Sequence, residues 1–219
     1  MRTPEQDDYV YVRESTVLER LIQRIKDGDR VSLDIEADSL HSYSEKVCLI
    51  QLSVGSDHFI VDPLSDIYFH ELVQTLAEKP LLMHAGDYDL RMLRAWRGFK
   101  ARSEVFDTMI AARLLGIEQI GLAALVESFL GIAMTKDSQK SDWSRRPLSE
   151  KQLCYAINDT RHLEVLAERL HRELLQRGRV EWHRESCCAM VDATGQDRPR
   201  DAQPVSYTHL RAHETLRYL

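Results

Sequence analysis

The sequence predicts an α/β protein with a mixed five-stranded sheet flanked by helices, and three observations carry that reading. The segments VSLDIE, KVCLIQLSV and HFIVD follow one another closely, with Gly55 and Ser56 marking a tight connection between the last two, so they read as consecutive antiparallel strands. Two further apolar runs, LLMHA and VFD, alternate with helical patterns, which makes the sheet mixed. Hydrophobic residues make up 43% of the 219 residues, enough for one domain with a substantial core.

Taken in order, the first helix is announced by a capping-box pattern at Thr16 and Glu19, by Leu18, Leu21, Ile22 and Ile25 at helical spacing, and by Gly28 as a stop. A second helix is expected near Phe69 to Ala77 and a third from about Asp87, which is placed to cap it. Asp107 in VFDT is placed to cap the helix that follows. From Ile132 to Pro147 the chain is polar and charged without apolar periodicity, the pattern of a functional loop, and a long helix should begin near Ser149.

The chain changes character near Thr194. Gly195 to Pro204 is rich in polar and turn residues, VSYTHLRAHETLRYL does not continue the apolar pattern, and SYTHLRAHET looks like translated sequencing-adapter DNA. The expected organisation is a folded domain over residues 1–193 and a linker or tail over 194–219, disordered or artefactual.

A formal charge of -6 argues against a broadly basic nucleic-acid coat, although a local positive groove would be invisible in that sum. Cys48, Cys154, Cys187 and Cys188 form no CxxC pair and have no matching histidine spacing for zinc. The acidic N-terminus MRTPEQDDYVYV lacks the apolar segment of a secretory signal, and no run reaches transmembrane length. The expectation is a cytoplasmic monomer with no membrane contact.

VSLDIEADSL is patterned like a buried strand yet carries Asp34, Glu36 and Asp38. Side chains two apart on a strand share a face, so Asp34 and Glu36 project together while Leu33 and Ile35 turn to the other side. Buried carboxylates normally neutralise or find a cation, which points to something positive between them, against the alternative of a solvated strand face. In LSEKQLCYAINDTRHL, Tyr155 and Asp159 lie four apart on one face of a helix whose Leu153, Ala156, Ile157 and Leu163 face the core. Between these segments, LLMHAGDYDLRML runs a strand into a helix and offers Asp87 and Asp89, of which Asp89 can reach the cleft.

Together, LDIEADS, HAGDYDLRML and SDWSRRPLSEKQLCYAINDTRHL resemble the three exonuclease motifs of the DEDD exonucleases, in particular ribonuclease D, and the Tyr155 to Asp159 spacing resembles the tyrosine subgroup. KVCLIQL, VFDTMIAARLLG, LVESFLGI and GRVEW extend the similarity to roughly Tyr9 through Cys188. The resemblance implies a ribonuclease H-like fold, with an exonuclease domain over residues 1–193. It implies Asp34, Glu36, Asp89 and Asp159 as ligands of two divalent ions, Mg2+ or Mn2+, and Tyr155 as the catalytic residue that orients the attacking water. Hydrolysis from RNA 3′ ends, including transfer RNA precursors, follows from it, with single-stranded DNA as the alternative substrate. Two features depart from the pattern: ADSLHSY stands where many ribonuclease D sequences are more aromatic or basic, and the helical accessory domains expected after the nuclease domain are absent, which suggests truncation.

Two basic clusters invite comparison. Arg91, Arg94, Arg97, Lys100 and Arg102 recur along the helix beyond Asp89 and read first as a solvated face. Lys140, Trp143, Arg145 and Arg146 precede the Tyr155 helix and are the expected nucleic-acid contacts, with Trp143 equally suited to packing. His84, near the proposed metal ligands, reads as a satisfied structural histidine because four acids already serve the site. A noncatalytic nucleic-acid-binding module is the reading from another class, and the presence of all four acids argues against it.

Overall fold

The computed structural model describes residues 9–38, 45–134 and 141–195. In chain order the elements are β1 (Val10–Val12), α1 (Ser15–Asp27), β2 (Val31–Ala37), β3 (Val47–Val54), β4 (Asp57–Val61), α2 (His70–Ala77), β5 (Leu81–Met83), α3 (Asp87–Arg97) and β6 (Val105–Asp107). Helices α4 (Thr108–Leu115), α5 (Leu122–Leu130), α6 (Glu150–Arg161), α7 (Leu163–Gln176) and α8 (Val180–Gly195) complete the described chain. Among the described residues no helix is long and apolar enough to cross a membrane.

The sheet is ordered β1-β4-β3-β2-β5-β6, with β2, β3 and β4 antiparallel and the outer pairs β1/β4, β2/β5 and β5/β6 parallel. It has six strands where the sequence pattern gives five. The extra one, β1, is a three-residue edge strand lying alongside Phe59–Val61. Gly55 at φ +60 makes the turn between β3 and β4.

One face of the sheet carries the larger core, where Leu33 and Ile35 of β2 join Leu21 and Ile25 of α1, Leu72 of α2 and Leu93 of α3. The opposite face receives α6, whose Ala156 and Ile157 pack against Cys48, Leu49 and Ile60. Helices α4, α5 and α7 form a third cluster through Ala112, Leu125 and Leu170. A buried polar contact fixes how α6 lies on the sheet: Ser53 Oγ donates to Thr160 Oγ1 at 2.9 Å and meets His58 Nδ1 at 2.8 Å. The start of α6 is a capping box, in which Ser149 Oγ accepts from Gln152 N and Gln152 Oε1 accepts from Ser149 N.

Other details differ from the sequence pattern. Helix α1 is preceded by Glu14 with no side-chain cap, so the Thr16 and Glu19 pair lies inside the helix and is not its capping box. Thr194, expected to begin the appendage, is buried in the last turn of α8 and its carbonyl accepts from Arg94 Nη1 at 2.8 Å, so the folded chain runs on through Gly195. The tail from 196 lies outside the described residues.

Two of the expected nucleic-acid contacts are structural. Trp143 is 2% exposed among Cys48, Leu49 and Ile60, with its ring centroid 6.1 Å from that of Tyr155, so it presents no face to a base. Arg146 donates to both carboxylate oxygens of Asp62, at 2.7 and 2.6 Å, and to the carbonyl of Cys48 at 2.8 Å. Its guanidinium is therefore committed to tying the segment before α6 to the β3/β4 edge. Arg145 is exposed and pairs with Asp142, and Lys140 lies outside the described residues. Arg146→Ala would leave the Asp62 carboxylate, 8% exposed, with Tyr11 and Leu64 N as its remaining donors. We expect the substitution to lower stability by about 2–3 kcal/mol and to accelerate proteolysis near residues 141–149; unchanged urea unfolding together with weakened oligonucleotide binding would instead make Arg146 a ligand contact.

Candidate active site

Three elements bring the acids together. In β2, Asp34 pairs with Gln51 and Glu36 with Leu49 across the antiparallel ladder, and the strand's two-residue period holds both carboxyls on the α6 face. The register shifts immediately afterwards, between Glu36 and Ala37. Asp38 beyond it is held by Lys46, accepting from its backbone N at 2.8 Å and pairing with its Nζ at 3.6 Å, and takes no part in the cluster. From α6, Asp159 descends onto the same point, and single carboxylate oxygens of Asp34, Glu36 and Asp159 all lie within 4.8 Å of one another.

Asp89 arrives by a different route. Strand β5 ends in a turn where Ala85 holds φ 57, a left-handed conformation uncommon for a residue with a side chain, and where a Cβ on Gly86 would meet Met83 Sδ at 2.8 Å. Helix α3 starts directly after this turn, so Asp89 lies in its first turn, 7% exposed and hydrogen-bonded to Asp34. Buried Asp107 braces the turn from β6: its Oδ2 accepts from Gly86 N at 2.8 Å while its Oδ1 caps α4 through Met109 N and Ile110 N. The capping role is legible in the sequence, whereas the bond to Gly86, 21 residues away, is not. Asp87, the other acid of that motif, points away from the cluster's work and pairs with Arg91.

Tyr155 stands one helical turn before Asp159, and the two side chains are hydrogen-bonded. Asp34, Glu36, Asp159, Tyr155 and His84 line a cavity of about 430 Å³, to which Met109, Leu122 and Met134 give an apolar wall, and Asp89 is not among the residues that line it. That apolar wall comes from α4, α5 and the segment after α5, and no motif in the sequence marks it. The basic series from Arg91 to Arg102 does not line the cavity, and only its first three members lie on α3: Arg91 pairs with Asp87, Arg94 binds Thr194 O and Arg97 lies over Trp96, while Arg102, beyond the helix, pairs with Glu78.

The electrostatics are those of like charges held in a dry place. Burial first, then the charges of Asp34, Asp159 and Asp89, push the Glu36 carboxyl up to about 10. Burial and the neighbouring Asp34 raise Asp159 to about 9 despite the Tyr155 hydrogen bond. Burial raises Asp34 to about 7 against the opposing hydrogen bond from Asp89, and Asp89 itself is held well above the carboxylate range by burial and by Asp34, Asp107 and Asp159. Burial and the same carboxylates raise Tyr155, which keeps its proton at neutral pH. A set of four hard oxygen donors with no cation from the described residues among them fits divalent metal, whose charge would reverse every one of the carboxyl shifts.

The sign of the resulting pH dependence follows. Over pH 4 to 10 these carboxyls hold more protons in the folded chain than in the unfolded one, so without metal the stability they contribute is present below about pH 4 and is lost as pH rises through their folded values of about 7 to 10. Metal binding displaces those protons and should tighten with pH. Thermal melts at pH 6 and pH 8 should therefore show Mn2+ or Mg2+ raising Tm over an EDTA-treated sample, with the larger rise at pH 8. A Tm indifferent to metal at both values would remove the metal assignment.

Comparison with known proteins agrees with this geometry. A family model described as 3′-5′ exonuclease matches residues 9–175. The chain is 36% identical over 176 residues to the ribonuclease D of Zymomonas mobilis, covering 78% of this chain and 45% of that protein. Among solved structures, Escherichia coli RNase D, an exoribonuclease involved in structured RNA processing, superposes with a TM-score of 0.80 at 25% identity, covering 87% of this chain and 51% of that one. The catalytic core of RRP6 from Trypanosoma brucei gives 0.78 at 25% identity over 87% of this chain and 53% of that one. The chain thus spans about half the length of the relatives it matches.

Proposed function

The chain belongs to the 3′-5′ exonuclease family, and on that premise we propose that it is a divalent-metal-dependent exoribonuclease that releases nucleotides from RNA 3′ ends, transfer RNA precursors and other structured RNAs among them. The observation that carries the reading is the convergence of Asp34, Glu36 and Asp159 beside Tyr155 at the cavity, with Asp89 hydrogen-bonded to Asp34, four acids and a phenol delivered by three separate elements. The similarity to ribonuclease D supports RNA as the substrate.

In this reading the four carboxylates hold two ions, Mg2+ or Mn2+. Bound there, such ions supply Lewis-acid stabilisation of phosphate charge and lower the pKa of water. The protein's own groups do the positioning. Tyr155 stays protonated and is oriented by Asp159, so it acts as a hydrogen-bond partner that aligns the attacking water and not as a base. Met109, Leu122 and Met134 give the terminal base an apolar surface, and the cavity volume of about 430 Å³ is in the range that holds one small ligand.

The unequal roles of Tyr155 and Asp159 provide the test. On a 5′-labelled RNA with Mn2+, the wild type should give a ladder shortening from the 3′ end, abolished by EDTA. Tyr155→Phe removes only the hydroxyl and should slow turnover by roughly 10- to 10³-fold while its Mn2+ titration matches wild type. Asp159→Asn removes an anionic ligand and should lower turnover by about 10²-fold or more and weaken the metal response as well. Full activity of Tyr155→Phe would refute its catalytic assignment, and a preference for DNA over RNA would replace the proposed substrate.

A further inference from the structure

His84 follows β5 and lines the cavity beside Asp34, Glu36, Tyr155 and Asp159. Its two ring nitrogens have different surroundings. Nδ1 lies 2.9 Å from Thr108 Oγ1, and the same hydroxyl lies 3.1 Å from the carbonyl oxygen of Met83. A carbonyl can only accept, so the single hydroxyl proton of Thr108 goes to Met83 O. What the hydroxyl then offers the imidazole is a lone pair, and Nδ1 must be the protonated nitrogen. With Nδ1 committed in this way, Nε2 is left to the cavity as an acceptor, and among the described residues no protein donor meets it. Burial holds the ring below the usual histidine range, which keeps it neutral at pH 7.

An acceptor at this place selects for a donor on the ligand. Phosphodiester oxygens carry no proton at neutral pH, and base amino groups differ from one nucleotide to the next. The ribose hydroxyls are the donors common to every ribonucleotide. We propose that His84 Nε2 accepts a hydrogen bond from a hydroxyl of the 3′-terminal ribose, with Thr108 as the positioning residue that fixes its tautomer. This inference rests on the reading of the site as a nuclease and adds to it a sugar-reading group outside the four acids and the tyrosine.

The test is a cycle between enzyme and substrate. Wild type, His84→Leu and Thr108→Val are compared on one oligoribonucleotide with three 3′-terminal residues: intact ribose, 2′-deoxy and 3′-deoxy. On the intact end, His84→Leu should lose about 3- to 10-fold in kcat/KM, the worth of one neutral hydrogen bond. That loss should disappear on one of the deoxy ends, and which one identifies the hydroxyl. Thr108→Val keeps the imidazole but frees its tautomer, so a smaller loss with the same dependence on the terminal sugar is expected, and it carries the test by itself if His84→Leu is poorly folded. Equal slowing by His84→Leu on all three ends, or a weakened Mn2+ titration in that variant, would overturn the sugar contact while leaving the nuclease reading intact. Failure of the wild type to shorten any of the three substrates would instead remove the nuclease reading on which the contact depends.

Discussion

The structure is organised around one electrostatic constraint: four carboxyl groups converge on a buried place where none of the described residues supplies a cation. Each of Asp34, Glu36, Asp89 and Asp159 is raised first by burial; neighbouring carboxylates add to the rise for Glu36, Asp89 and Asp159, while hydrogen bonds pull Asp34 and Asp159 partly back. Such a cluster opposes folding near neutral pH, so the rest of the domain must hold it together. It does so with apolar packing on the other face of the sheet, where Leu33 and Ile35, the alternating partners of the acids on β2, are buried against α1, α2 and α3.

The remaining architecture limits how far the acids can move apart. Helix α6 is seated by Ala156 and Ile157, and its rotation is fixed by the buried Ser53 to Thr160 bond one residue beyond Asp159. Trp143 fills the space behind Tyr155, and Arg146 ties the preceding segment to Asp62 and Cys48 O. On the other side, Asp107 joins the turn before Asp89 to the start of α4, and its own carbonyl meets His183 of α8 at 3.0 Å. Helix α8, distant from the acids in sequence, is thereby part of the frame that places Asp89.

How much of this could be read from the sequence depended on the range of the interaction. The acids were legible because a strand's period of two and a helix's turn of four are local, so Asp34 with Glu36 and Tyr155 with Asp159 declare a shared face before any fold is known. The strands β2 to β6, the start of α6 and the Asp107 cap were legible for the same reason. Misread features depended on distant partners. Thr16 and Glu19 match a capping box in spacing, yet the chain enters α1 at Glu14. Trp143 and Arg146 stand in a polar, basic stretch that suggests a ligand, but the partners that bury them, Ile60 and Asp62, come from about 80 residues earlier. His84 reads as structural, and the contact that holds its Nδ1, to Thr108 Oγ1 24 residues later, is one that no local pattern shows.

The treatment of the other buried acids shows that the unneutralised state of the four is specific to the site. Asp38 is paired with Lys46, Asp62 with Arg146 and Tyr11, and Asp107 accepts three backbone N–H groups. Each of these acids has found the partner that burial normally demands. The chain carries 29 lysines and arginines, yet of those that follow Asp89, Arg91, Arg94 and Arg102 are turned to Asp87, Thr194 O and Glu78. A cation built into the site would occupy the space and charge that a divalent ion and a phosphate require. With no such cation among the described residues both stay open, at a cost in stability that the ions themselves can offset.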